Sequence, residues 1–129
     1  MRLAGYAAVF GVADAAQDIV TAGAFRRTLQ ERRDRLPLYW QHRPGQRIGW
    51  IDNAGEDTRG LRVIARIDNP DGKAAHLLKA RAIDGLSFGY RARRFRSDKG
   101  TRWLDDVDLF EISLVAHPLQ HGARVHLIN

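Results

Sequence analysis

The stretch Ile83-Asp84-Gly85-Leu86-Ser87-Phe88-Gly89-Tyr90 sets one of the chain's three serines between two glycines. Leu86, Phe88 and Tyr90 alternate with Ser87, Gly89 and Arg91, the period of a strand that buries one face and presents Ser87 on the other. Glycine lets the backbone adopt conformations closed to other residues and lets another group approach closely. Two readings follow. In one, Ser87 is a small residue in a glycine-bearing strand; in the other, it is a reactive hydroxyl on a rigid element.

The stretch also satisfies G-x-S-x-G, the strand-to-helix turn on which α/β-hydrolases carry their serine. That turn needs a helix directly after the serine and a large doubly wound sheet around it. Tyr90 to Arg96 instead continues in loose alternation, and a chain of 129 residues is short for that architecture. The elbow is rejected. The segment reads as a strand running to about Arg96, turning at Ser97-Asp98-Lys99-Gly100 and pairing with Trp103 onward.

Outward from this strand, the pattern is one of short extended segments and two helices. Leu3 to Phe10 reads as a strand, and Ile19-Val20 as a short extended piece. Gly23-Ala24-Phe25 leads into a helix reaching about Arg33, with Phe25 and Leu29 on one face. Leu38-Tyr39-Trp40-Gln41-His42 reads as a strand ending at a Pro44-Gly45 turn. Ile48 to Asp52 and Leu61 to Ile67 form an expected hairpin with a polar link over 53–60. Lys73 to Ala82 is an amphipathic helix clustering Ala74, Leu77, Leu78 and Ala82. Val107 to Ala116 is the last strong strand, stopped by Pro118. Many short strands with two helices predict a mainly β fold with flanking helices, a closed and mainly antiparallel barrel.

The length is that of one domain able to bury a real core. With no cysteine there are no disulfides and no thiolate chemistry. No apolar run approaches the roughly 18 residues of a membrane span, and the N-terminus lacks a signal-peptide pattern, which points to an intracellular, soluble protein. A net charge of +6 and a pI near 10.5 raise the question of nucleic acid. The arginines fall in two groups, Arg26, Arg27, Arg32, Arg33 and Arg35, and Arg91, Arg93, Arg94 and Arg96. Neither belongs to a nucleic-acid motif, and a solvated face is the reading preferred over a specific nucleic-acid partner.

A serine nucleophile needs a neighbouring base, and the base is commonly oriented by a third polar group. Of five histidines, His42 and His117 are the candidates: His42 ends an apolar strand before a turn, and His117 follows the last strand. His76 lies on the exposed side of its helix, and His121 and His126 lie in the tail. In Asp108-Leu109-Phe110-Glu111-Ile112-Ser113-Leu114-Val115, Glu111 shares a face with Ser113 while Phe110, Ile112 and Leu114 take the other. A carboxylate in so apolar a strand either pairs with an arginine or takes part in a site. The histidine spacing matches no zinc motif, so no metal and no cofactor is expected.

Taken together, the segments resemble the prohead (capsid maturation) serine proteases of tailed bacteriophages and of phage-derived gene-transfer particles, relatives of the herpesvirus assemblins. The resemblance runs from Gly5-Tyr6-Ala7-Ala8-Val9-Phe10 through Gly23-Ala24-Phe25, Leu38-Tyr39-Trp40-Gln41-His42, Ile48-Gly49, Gly60-Leu61 and Gly85 to Tyr90, and ends with Glu111 to Pro118. Order and spacing carry it rather than any one motif. It implies a closed barrel of the assemblin type over residues 1–129 as a single domain, with Ser87 as nucleophile and His42 as general base. In assemblins a second histidine holds the third place; the matching strand here offers Glu111 as the group that orients His42, with His117 as second choice. Assemblins also use arginine in the oxyanion hole, and Arg91 lies two residues beyond Gly89.

The implied activity is that of a serine endopeptidase that cleaves the scaffolding segment of the major capsid protein, and itself, inside the immature shell in the host cytoplasm. The resemblance also brings in a homodimer or higher oligomer. The chain ends soon after the last strand, so the C-terminal scaffolding extension that many members carry is not expected. Two alternatives stand beside this: a non-catalytic basic module for capsid assembly or nucleic-acid binding, and an esterase-like hydrolase.

Overall fold

The computed structural model describes residues 1–129. Around Ser87, two long strands, β6 (Gly85–Asp98) and β7 (Thr101–Val115), form one antiparallel hairpin. Asp98 pairs with Thr101, so Lys99-Gly100 is a two-residue turn, with φ of 50° and 84°. Left-handed backbone at both central positions matches the twist of the flanking strands. The stretch expected as a separate strand over 107–116 is the second half of β7, so a single strand runs from Thr101 to Val115.

The remaining strands assemble on β7. They are β1 (Arg2–Val9), β2 (Asp18–Val20), β3 (Pro37–Trp40), β4 (Arg43–Glu56), β5 (Gly60–Ile67) and β8 (Val125–Ile128). The sheet order is β2-β7-β3-β4-β5-β1-β8, with β6 also paired to β7. β2 lies parallel to Arg102–Leu104 and β3 parallel to Ile112–Leu114, while the other pairings are antiparallel. The sheet is therefore mixed.

It does not close into the expected barrel. Between β6 and β8 there is an isolated bridge, Gly85 to Arg124, flanked by hydrogen bonds from Leu86 N–H to Ala123 O (2.9 Å) and from Val125 N–H to Asp84 O (2.8 Å). The mainly β, α+β character stands, and the strands wrap one contiguous core that includes Phe25, Leu38, Leu61, Leu78, Leu86, Ile112 and Leu114.

Two helices cover this core. α1 (Arg26–Glu31) is held at its entry by Glu56, whose carboxylate accepts the N–H groups of Gly23 and Phe25, each at 2.8 Å. α2 (Lys73–Lys79) buries Ala74, Ala75 and Leu78. It stops short of the expected Ala82 because Arg81 turns left-handed, at φ 58°. Arg81 N–H then donates to Leu78 O and Ala82 N–H to Leu77 O, a Schellman closure usually built on glycine.

Three further expectations change. The strand through His42 does not run on to Pro44-Gly45: Trp40 pairs with Arg43, the turn is Gln41-His42, and Pro44 and Gly45 lie inside β4. The polar link expected over 53–60 is mostly strand, since β4 continues to Glu56 and β5 starts at Gly60. Phe110 does not share the core face of Ile112 and Leu114. Gly89 pairs with Glu111 but Tyr90 with Leu109, so Phe110 is the extra residue of a β-bulge and is 51% exposed.

Candidate active site

Ser87 lies opposite Ser113 on the β6–β7 ladder, and Gly89 lies opposite Glu111. Paired residues on antiparallel strands point to the same face. Ser87, Ser113 and Glu111 therefore share one face, while Leu86, Ile112 and Leu114 go to the core. Ser87 is 7% exposed and its Oγ makes no hydrogen bond, yet no fully buried side-chain oxygen lacks a partner. The Ser87 hydroxyl is thus shielded but reachable from solvent. Ser113 is 0% exposed, which leaves Ser87 as the serine of this face that a substrate can meet.

Gly89 makes room for the acid. A Cβ built on Gly89 would overlap the Glu111 carboxylate, with Cδ at 2.8 Å and Cγ at 2.9 Å. The absence of a side chain at 89 lets Glu111 lie flat across β6 towards the β3–β4 turn.

His42 reaches the site by leaving strand geometry. In β3, Leu38, Tyr39 and Trp40 pair in parallel with Ile112, Ser113 and Leu114. Continued alternation would send residue 42 to the core face with Leu38 and Trp40. Gln41 (φ 51°) and His42 (φ 59°) instead form the two-residue turn. Left-handed backbone at a non-glycine residue costs about 1–3 kcal/mol and persists where the surroundings enforce it.

Three hydrogen bonds to β7 and the residue after it enforce it here. Gln41 N–H donates to Leu114 O (3.0 Å), Ala116 N–H donates to Gln41 Oε1 (3.1 Å), and His42 N–H donates to Ser113 Oγ (3.0 Å). So held, His42 Nδ1 contacts Glu111 Oε1, and Ser113 Oγ donates to Glu111 Oε2 at 2.7 Å. With Nδ1 occupied, Nε2 is the ring nitrogen left for other work. The His42 side chain is 41% exposed, whereas that of Glu111 is 10% exposed. The buried acid sits beneath an accessible imidazole.

The other sequence candidates make no hydrogen bond to Ser87, His42 or Glu111. His117 is exposed beyond the end of β7, and His76, His121 and His126 are exposed on α2, in the following segment and on β8. Arg91 is turned to Asp108 at 3.0 Å, alongside Arg93 (3.3 Å) and Arg27 (2.8 Å). The Arg27 hydrogen bond, with those of Arg91 and Arg93, outweighs desolvation and pulls the Asp108 carboxyl down to about 2. Arg96 likewise holds Asp105 below the usual carboxylate range. Both arginine groups are thus tied in part to the acidic run of β7.

The sequence assigns no role to Ser113 or Gln41, and for Gly89 it offers close approach near Ser87 rather than room for the Glu111 carboxylate. The alternation that places Ser113 beside Glu111 is visible in the sequence, but its bond to His42 depends on the β3–β7 register.

The caudovirus prohead serine protease family model matches residues 1–129, the whole chain. The chain belongs to this family. One prohead protease relative, that of Enterobacteria phage HK97, is 30% identical over 90 residues, which cover 67% of this chain and 40% of that protein. The match thus spans less than half the length of that relative. Among solved structures, the bacteriophage T4 capsid assembly protease superposes with a TM-score of 0.69 at 14% identity, covering 91% of this chain and 82% of the other. The Kaposi's sarcoma herpesvirus protease, solved with a hexapeptide phosphonate inhibitor, gives 0.66 at 16% identity, covering 96% and 63%. At these identities the structural matches speak to the fold, which this prohead protease family member shares with phage and herpesvirus proteases.

Proposed function

We propose that this prohead protease family member is a serine endopeptidase that removes the scaffolding segment of the major capsid protein during head maturation. The observation that carries the reading is the pairing of His42 Nδ1 with the buried Glu111 carboxylate, beside Ser87 on the same face. Glu111 sets the tautomer in which Nδ1 carries the proton and Nε2 bears the lone pair. His42 Nε2 takes the Ser87 proton as Oγ attacks the scissile carbonyl. The imidazolium formed is stabilised by Glu111 and returns its proton to the leaving amine. Water then hydrolyses the acyl-enzyme by the same route in reverse, restoring Ser87. The substrate and the chain meet inside the immature shell in the host, where the chain also processes itself, alone or as a homodimer or higher oligomer.

A non-catalytic basic module draws little support, because Arg27, Arg91, Arg93 and Arg96 are paired with Asp105, Asp106 and Asp108. The test is the intact mass of the cognate major capsid protein after co-expression with the wild-type chain or Ser87→Ala. Loss of a defined segment with wild type alone supports the reading. Whole capsid protein in both, assembled into shells, contradicts it.

A further inference from the structure

Ser113 belongs to neither strand end nor surface. It is the fully buried residue at which β3, β6 and β7 meet, opposite Ser87 on one side and beside Tyr39 on the other. A serine hydroxyl has one proton to donate and lone pairs to accept with. Both capacities are used within the site. Its proton goes to Glu111 Oε2 at 2.7 Å, and its oxygen accepts the His42 backbone N–H at 3.0 Å. Glu111 therefore has one oxygen on the His42 ring and the other on Ser113. A carboxylate held at both oxygens cannot rotate about its last bond without breaking one contact.

We infer that Ser113 is a positioning residue that locks the Glu111 carboxylate and the left-handed His42 turn into one unit, setting where the imidazole stands relative to Ser87. This rests on the reading of Ser87, His42 and Glu111 as the reacting group, base and orienting acid. Ser113 itself touches no substrate. It acts through His42 from both sides, through the backbone N–H and through the carboxylate on the ring. A hydroxyl serving only to satisfy buried polar atoms would support folding without governing the imidazole.

The test uses the whole chain and two readouts. The first is the rate at which a fluorophosphonate phosphonylates Ser87, separated into a binding constant and a limiting rate. Ser113→Ala is expected to lower the limiting rate by about a hundredfold, the scale of a small misplacement of reacting groups, with the binding constant within about twofold. Ser113→Thr and Ser113→Val form a matched pair of nearly equal volume that differ in the hydroxyl. Thr is expected to recover most of the rate lost in Val, at similar melting temperatures.

The second readout is the downfield ring N–H proton of His42 by NMR in the protein without substrate, expected to shift or broaden in Ser113→Ala and Ser113→Val but not in Ser113→Thr. Equal rates for the Thr and Val variants of a chain whose wild type reacts, or an unshifted ring proton in Ser113→Ala, would overturn the inference. The ring proton is independent of turnover. A wild-type chain that never reacts therefore defeats the protease reading while leaving the role of Ser113 decided by NMR.

Discussion

Gly89 stands directly opposite Glu111 on the β6–β7 ladder, and the volume a side chain at 89 would take is filled by the Glu111 carboxylate. The acid reaches His42 because the position across from it is empty. Gly89→Ala is expected to push Glu111 off Nδ1, with a loss of about a hundredfold in Ser87 reactivity and about 1–3 kcal/mol of stability from overpacking. Fluorophosphonate kinetics and urea unfolding check the two halves. A fully active Gly89→Ala would show that the carboxylate is not needed where it lies.

Glu111→Gln keeps the shape of the side chain and removes its charge. The amide can present N–H to the imidazole and favour the tautomer with its proton on Nε2, which cannot accept from Ser87. Reactivity is expected to drop by roughly 10³–10⁴-fold, as when the orienting acid of a serine triad is made an amide. Circular dichroism should remain that of wild type. A drop of less than tenfold would assign Glu111 a structural role.

The chain contains two hairpin turns with left-handed backbone at both central residues, Gln41-His42 and Lys99-Gly100. At Lys99-Gly100 the second residue is the glycine such turns favour, and the first can be improved. Lys99→Asn is expected to stabilise the protein by about 0.5 kcal/mol, because asparagine tolerates this backbone better. Urea midpoints of the two proteins measure it. At Gln41-His42 the same geometry is held with poorly suited residues, and the hydrogen bonds to Ser113, Leu114 and Ala116 keep it in place.

Asp108 contributes to acid sensitivity. Its folded value of about 2 lies below that of a free aspartate, so its ion pairs with Arg27, Arg91 and Arg93 stabilise the native state above the unfolded value of about 3.9. That stability is lost as the pH falls through the unfolded value towards the folded one. Asp108→Asn should therefore be less stable than wild type at neutral pH, and the gap should narrow between about pH 4 and about pH 2. Unfolding midpoints across this range test the sign, and a gap that widens on acidification would contradict it.

Much of the candidate site's geometry is legible because strand alternation is a local property. Ser87 could be placed on the face opposite Leu86 and Phe88, and Glu111 beside Ser113, from the period-two pattern alone. The sequence puts His42 at the end of an apolar strand but points to Pro44-Gly45 for the turn, since Gln-His carries no turn signature. The bulge at Phe110 was hidden because a one-residue slip leaves each flanking run regular. β8 was missed because Val125–Ile128 is short and half exposed. The parallel docking of β3 on β7 joins residues far apart in the chain, and no local pattern announces it. The same docking brings Ser113 under His42, so that contact could not be read before the fold.

Covalent labelling decides whether Ser87, activated by His42, is the nucleophile. The purified chain is treated with a fluorophosphonate, and the site of mass gain is mapped by peptide sequencing. One adduct is expected on the peptide holding Ser87, none in Ser87→Ala, and labelling slowed by orders of magnitude in His42→Ala with the fold retained. Equal labelling of wild type and Ser87→Ala, or an adduct on Ser97 or Ser113, would contradict it.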